Sequence, residues 1–166
     1  MIEVVRELIQ KYKTKGIIVD SNLLLFYLIG AIDLGRIKQF HRTKNFAEED
    51  FTTLQNILQN FNTIVTTPNI LTEVSNFLGQ LKKDLHALYY RGFANSIDLL
   101  DERYVASNEV AKMPGFSWLH LTDSGIVDLA KNAYLVITVD APLAVYLGRQ
   151  GIDVINFNHI RPDFWQ

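Results

Sequence analysis

Three aspartates and one glutamate are the side chains best set to do chemistry together. Asp20 closes the run GIIVD, Asp123 the run FSWLHLTD and Asp140 the run AYLVITVD. Each run is short and rich in β-branched or aromatic residues, as a buried strand requires, and each precedes residues with the 3.6 period of a helix. In an open parallel sheet the C-terminal ends of the strands share one edge, and ligands bind there. The spacing therefore predicts three carboxylates aimed at one crevice. The fourth, Glu73, rides on a helix whose start is marked by Thr67 as N-cap and Pro68 at the first helical position. In that phase Ile70, Val74, Phe77, Leu78 and Leu81 form the buried stripe, and Glu73 falls on its border, within reach of the crevice mouth. The same phasing turns Asp128 to solvent and excludes it.

Two bare carboxylates about 5 Å apart repel by roughly 3 kcal/mol at an effective dielectric near 20. A cleft holding four must take up protons or bind cations. Oxygen donors alone, with no His or Cys among them, suit Mg²⁺ or Mn²⁺ better than zinc. A divalent cation held this way polarises a phosphate oxygen and lowers the pKa of a bound water, so phosphodiester hydrolysis is the reaction such a set would serve. The competing explanation is structural: Asp is a favoured N-cap, and all three precede a helix. One residue can do both.

The elements that must position these acids follow one grammar. GIIVD, TIVTTP, FSWLHLTD and AYLVITVD, with a fifth run GIDVINF near the end, alternate with helical patterns. That alternation implies an α/β chain with a mainly parallel sheet covered on both faces. An amphipathic pattern through Ile2, Val5, Leu8, Ile9 and Tyr12 reads as an outer helix. Long helical insertions are expected near 31–62 and 82–112, with Gly92 as the interruption of the second. Leu23 to Ile32 is apolar throughout but about half the roughly 20 residues needed to span a bilayer. It is expected to be a buried helix, covered by the sheet, the first insertion or a second chain.

The segments IVDSNLLL, TPNILTEVSNFL, LTDSGIVDLAKNA and LVITVDAPLAVYLGRQGIDVINF, in that order, resemble the PIN-domain family of nucleases along nearly the whole chain. The resemblance implies a three-layer α/β/α, Rossmann-like PIN fold, one domain over 1–166, with a sheet ordered 3-2-1-4-5. It implies Mg²⁺- or Mn²⁺-dependent endoribonuclease activity on RNA. By position, the family's acids match Asp20, Glu73, Asp123 and Asp140 as metal ligands and catalytic residues. Asn22 matches the polar companion of the first acid, Ser124 the small residue after the third, and Thr138 the orienting hydroxyl before the fourth. Relatives act as toxins paired with an antitoxin protein and often form homodimers, so both partners are expected by resemblance. The chain is longer than the compact toxins of the family, and the two insertions hold the extra length.

Other signals are weaker. Arg36, Lys38, Arg42 and Lys44, with His41 among them, stand in LGRIKQFHRTK without an acid and could neutralise RNA phosphates beside the crevice. GAIDLGR has the glycine spacing of a phosphate loop but lacks its Lys and following Ser/Thr. The four histidines show no HExxH spacing, and His120 is expected inside a strand with a core role. No GxSxG elbow is present. A dehalogenase-type Mg²⁺ phosphohydrolase would want an acid two residues after Asp20, where Asn22 stands. A receiver domain would need adjacent acids after the first strand. A PIN-like module that binds nucleic acid or protein without cutting is the non-enzymatic alternative. With 48% hydrophobic and 20% charged residues the chain is an ordinary globular one, and a net charge of −2 leaves only local basic patches for a polyanion. The absence of cysteine and of a signal-peptide pattern suits the cytoplasm.

Overall fold

Ile17, Ile18 and Val19 are buried on both faces of their strand, and so are Leu135, Val136 and Ile137. Such strands require helices above and below. The computed structural model describes residues 2–131 and 133–161, so positions 162–166 of the expected domain lie outside it. Its strands are β1 (Ile17–Val19), β2 (Ile64–Thr66), β3 (Asp101–Glu102), β4 (Leu135–Thr138) and β5 (Val154–Asn156). They form one all-parallel sheet in the order β3-β2-β1-β4-β5. Around it lie α1 (Ile2–Tyr12), α2 (Ser21–Ile32), α3 (Arg36–Gln39), α4 (Glu48–Leu58), α5 (Pro68–Leu78), α6 (His86–Ile97), α7 (Ser107–Val110), α8 (Phe116–Ala130) and α9 (Ala141–Arg149). The architecture is a three-layer α/β/α, Rossmann-like fold, as expected.

α2 is apolar all round, and the two insertions explain how it is covered. α3, α4, α5 and α6 all pack on it. Phe26 stacks on Phe46 with ring centroids 4.1 Å apart and meets Phe51 edge-on at 6.3 Å, so the segment 31–62 closes over it. The apolar surplus that suggested a second chain is thus covered within this one. Close approach is bought with glycine: a Cβ on Gly30 would stand 2.3 Å from the Phe51 ring, and one on Gly92 would stand 2.5 Å from Ile32 Cδ1. Gly92 therefore does not interrupt the second insertion, contrary to expectation. It sits inside α6 and lets that helix press on α2.

Two further expectations are corrected. FSWLHLTD is not a strand. Phe116–Ala130 is helical, broken at His120, whose φ of 61° and ψ of −172° divide it into two helical pieces. The remaining sheet position is filled by Asp101–Glu102, paired with Val65 and Thr66. A two-residue charged strand suits an exposed edge, where it discourages further pairing, but it carries no apolar signature. His120 is accordingly an exposed residue at a kink rather than a core residue in a strand. Among the described residues, no helix is long and apolar enough to cross a membrane.

Candidate active site

The sheet grows from β1 toward β2 and β3, then returns past β1 to add β4 and β5. The connections leaving neighbouring β1 and β4 diverge, which opens a crevice beyond their C-terminal ends. Asp20 follows β1 directly, and Asp140 stands two residues beyond β4. Both cap helices: Asp20 Oδ1 accepts the Leu23 N–H at 2.7 Å, and Asp140 Oδ1 accepts the Leu143 N–H at 2.8 Å. Buried Thr138 joins them. Its hydroxyl donates to Asp20 Oδ2 and accepts the Asp140 N–H at 2.9 Å, while the Val139 N–H donates to the same Asp20 oxygen at 2.9 Å.

Glu73 arrives from the other side. Thr67 caps α5 by accepting the Ile70 N–H at 3.2 Å, with Pro68 next, as the sequence pattern requires. Glu73 Oε1 accepts the Thr122 hydroxyl at 2.6 Å, which ties α5 to the piece of α8 that carries Asp123. All four acids, with Ser21, Asn22, His120 and Thr122, line one cleft of about 320 Å³. A smaller cavity of about 120 Å³ behind α2 is lined mainly by Leu, Ile and Phe side chains and has no carboxylate.

The oxygens differ in how far they are satisfied. A carboxylate oxygen has room for two donors. Asp20 Oδ2 already holds two, whereas Asp20 Oδ1, Asp140 Oδ1 and Glu73 Oε1 hold one each. Asp123 accepts no hydrogen bond among the described residues. Burial, then the charges of Asp140, Asp20 and Glu73, push its carboxyl from 3.8 up to about 7. Burial also pushes Asp20 up, opposed by its Thr138, Leu23 and Val139 hydrogen bonds and reinforced by Asp140. Asp123 is thus the carboxyl of the cleft with no donor to offset burial and its acidic neighbours.

No family model matches this chain, and no curated protein does.

Among the described residues no three His, Cys, Asp or Glu side chains are already drawn into a coordination shell. The donor set nevertheless fits a hard divalent cation: it is all oxygen, and outward oxygens of Asp123, Asp140 and Glu73 lack donors. Ser21 adds to this, since it lines the cleft while its buried hydroxyl has no partner among the described residues. Asn22 is exposed at the mouth. Ser124 is buried behind Asp123 with its hydroxyl also unpartnered, and it does not line the cleft. Asp128 lies outside the site and faces Lys131 at 3.6 Å.

Arg36, Lys38, Arg42 and Lys44 do not line the cleft either. Arg36 is engaged by Asp33 at 3.6 Å and by Gln39 at 2.8 Å. The reading of spacing missed Ser21, His120 and Thr122. Ser21 and Thr122 flank two of the acids, and that adjacency was the available signal. Nothing in the sequence announces a non-glycine residue at positive φ.

Proposed function

We propose that this chain is a PIN-like nuclease that hydrolyses RNA phosphodiester bonds with Mg²⁺ or Mn²⁺ at Asp20, Glu73, Asp123 and Asp140. One observation carries the reading: carboxylates from four separate stretches of sequence line a single cleft at the reversal point of a parallel sheet. Asp123 and the outward oxygens of Asp140 and Glu73 would hold the cation, with buried Asp20 adding charge and its remaining lone pair. When bound, the cation supplies polarisation of a phosphate oxygen and a water of lowered pKa. The chain's own groups do the positioning. Thr138 fixes Asp20 relative to Asp140, Thr122 holds Glu73 against α8, and Asn22 offers a hydrogen bond at the mouth. With its carboxyl pushed up to about 7, Asp123 would give up a proton on holding a cation.

The capping bonds favour a second reading, a PIN-like module that binds nucleic acid or protein without cutting. Asp20 and Asp140 each serve a helix N-terminus whatever else they do. Cleavage decides between the two. Mixed RNA substrates incubated with Mn²⁺ or Mg²⁺ are expected to be cut, with EDTA, Asp20→Asn and Asp123→Asn each abolishing the cut. Equal activity in the wild type and both variants means contamination and ends the nuclease reading. A toxin role with an antitoxin partner rests on the resemblance alone, and growth arrest on expression that depends on Asp123 is its test.

A further inference from the structure

The segment after α2 has a three-residue rhythm. Ile37, Phe40, Thr43 and Phe46 are buried, and Lys38, His41, Arg42 and Lys44 stand exposed between them. The inner residues anchor the segment: the Thr43 hydroxyl donates to the Ile37 carbonyl at 2.8 Å, and Phe46 stacks on Phe26. The cations are therefore displayed by a packed element rather than by a loose loop.

That element docks on α5, the helix that carries Glu73. The Arg42 guanidinium lies 3.8 Å over the Phe77 ring, and its Nε donates to Gln80 Oε1 at 2.8 Å. His41 Nε2 meets the same Gln80 oxygen at 3.1 Å. Phe77 is four residues beyond Glu73, on nearly the same face of α5 and about 6 Å along its axis at 1.5 Å per residue. Two more exposed cations, Lys82 and Lys83, stand just beyond Gln80, after buried Leu81. Among the described residues none of Lys38, Arg42, Lys44, Lys82 and Lys83 pairs with an acid. Of the nearest acids in sequence, Asp33 is engaged by Arg36, and Asp84 stands beside Lys83.

We propose that Lys38, Arg42, Lys44 and Lys82 form a phosphate track that guides a nucleic-acid strand from the acidic cleft toward the C-terminal end of α5. The proposal rests on the nuclease reading and deepens it by giving the strand a direction. A chain with net charge −2 has no general attraction for polyanions, so a cluster of cations without acidic partners is a local preference. Arg42 is the specific element. Phe77 and Gln80 hold its guanidinium flat before any ligand arrives, its outer face is open to stack on a base, and its remaining N–H groups are open to a phosphate. A strand seated there places a neighbouring phosphate one to two helical turns of α5 from Glu73.

The test is binding of a fluorescently labelled, mixed-sequence single-stranded RNA, and of DNA of the same sequence, in EDTA across a NaCl titration. The proteins are the wild type, Lys44→Ala/Lys82→Ala, Arg42→Ala, and Lys15→Ala at the opposite, N-terminal edge of the sheet. Each lost phosphate contact to a single strand lowers the salt slope by about 0.7, so the double variant should lose about 1.4 of slope and bind about tenfold more weakly. Lys15→Ala should match the wild type. The exposed side chains of Lys44 and Lys82 make no hydrogen bond or ion pair among the described residues, so their loss reports on binding. RNA favoured over DNA, or both bound alike, supports the track and says whether the 2′-hydroxyl is read. Equal salt slopes in all four proteins, or competition by polyglutamate as effective as unlabelled RNA, overturns it, the latter in favour of an acidic protein partner. Because the readout is binding without divalent metal, failure here leaves the cleavage result standing, and failure of cleavage leaves this one standing.

Discussion

Replacing Asp123 by Asn should stabilise the protein at about pH 8 and change little at about pH 3. The carboxyl is pushed from 3.8 to about 7, chiefly by burial and then by Asp140, Asp20 and Glu73. A folded state with the higher pKa keeps its proton longer than the unfolded chain does. Its stability is therefore full below about 3.8, falls by about 1.4 kcal/mol per pH step as pH rises, and levels off above about 7. The whole interval amounts to about 4 kcal/mol, and solvent at the open mouth should reduce this to about 2–3 kcal/mol. Asn carries no charge at any pH, so the variant should lose that slope. Urea unfolding of both proteins in EDTA across this range reads the difference. Adding Mn²⁺ at about one hundred times its dissociation constant should restore about 2.7 kcal/mol to the wild type at high pH and much less to the variant. Parallel pH profiles for the two proteins, or a variant less stable than the wild type at about pH 8 in EDTA, would refute the account of crowded charge.

Thr138→Val removes the donor to buried Asp20 and the acceptor of the Asp140 N–H; it should cost about 1–3 kcal/mol in urea unfolding and weaken Mn²⁺ binding by about 10–100-fold, with Thr138→Ser restoring both. Arg161→Ala leaves Asp50, fully buried and bonded to Arg161 at 2.7 and 3.0 Å, without its counter-charge. A loss of about 3–5 kcal/mol in thermal or urea unfolding is expected, and a loss under about 1 kcal/mol would contradict the pairing. Gly30→Ala should destabilise by about 1–3 kcal/mol because its Cβ meets the Phe51 ring, whereas Gly125→Ala, with nothing within 4 Å, should gain up to about 1 kcal/mol of helix propensity.

Much of this fold is legible because its central strands are buried on both faces. GIIV, TIVT, YLVIT and DVIN are continuous apolar or β-branched runs at strand length, and Thr67-Pro68 marks a helix start through capping chemistry that depends on neighbours alone. The illegible parts are those where tertiary contacts decide. β3 has two charged residues and exists because β2 offers a free edge. FSWLHLTD fits a strand or a helix over eight residues, since Phe116, Leu119 and Leu121 satisfy either period loosely. Gly92 reads as a breaker, but its missing side chain is used by Ile32. In each case the local pattern was ambiguous and a packing partner from elsewhere in the chain resolved it.

Asp123 reaches the cleft from a helix rather than from the strand end that its sequence run suggested. A strand end or a helix start at the C-terminal edge of the sheet brings its carboxylate equally to the crevice beyond β1 and β4. The kink makes the helix start possible. In an unbroken helix from Phe116, Asp123 would stand in the third turn, away from any helix end. The break at His120 instead makes Asp123 the third residue of a new helical piece, among N–H groups without helical partners. The positive end of that piece favours a carboxylate there by a few tenths to one kcal/mol, opposing part of the burial that pushes its pKa up. His120 holds a backbone conformation that L-residues avoid at a cost of about 1–3 kcal/mol, and it lines the same cleft. The strained residue thus stands three positions before Asp123, at the wall of the same cleft.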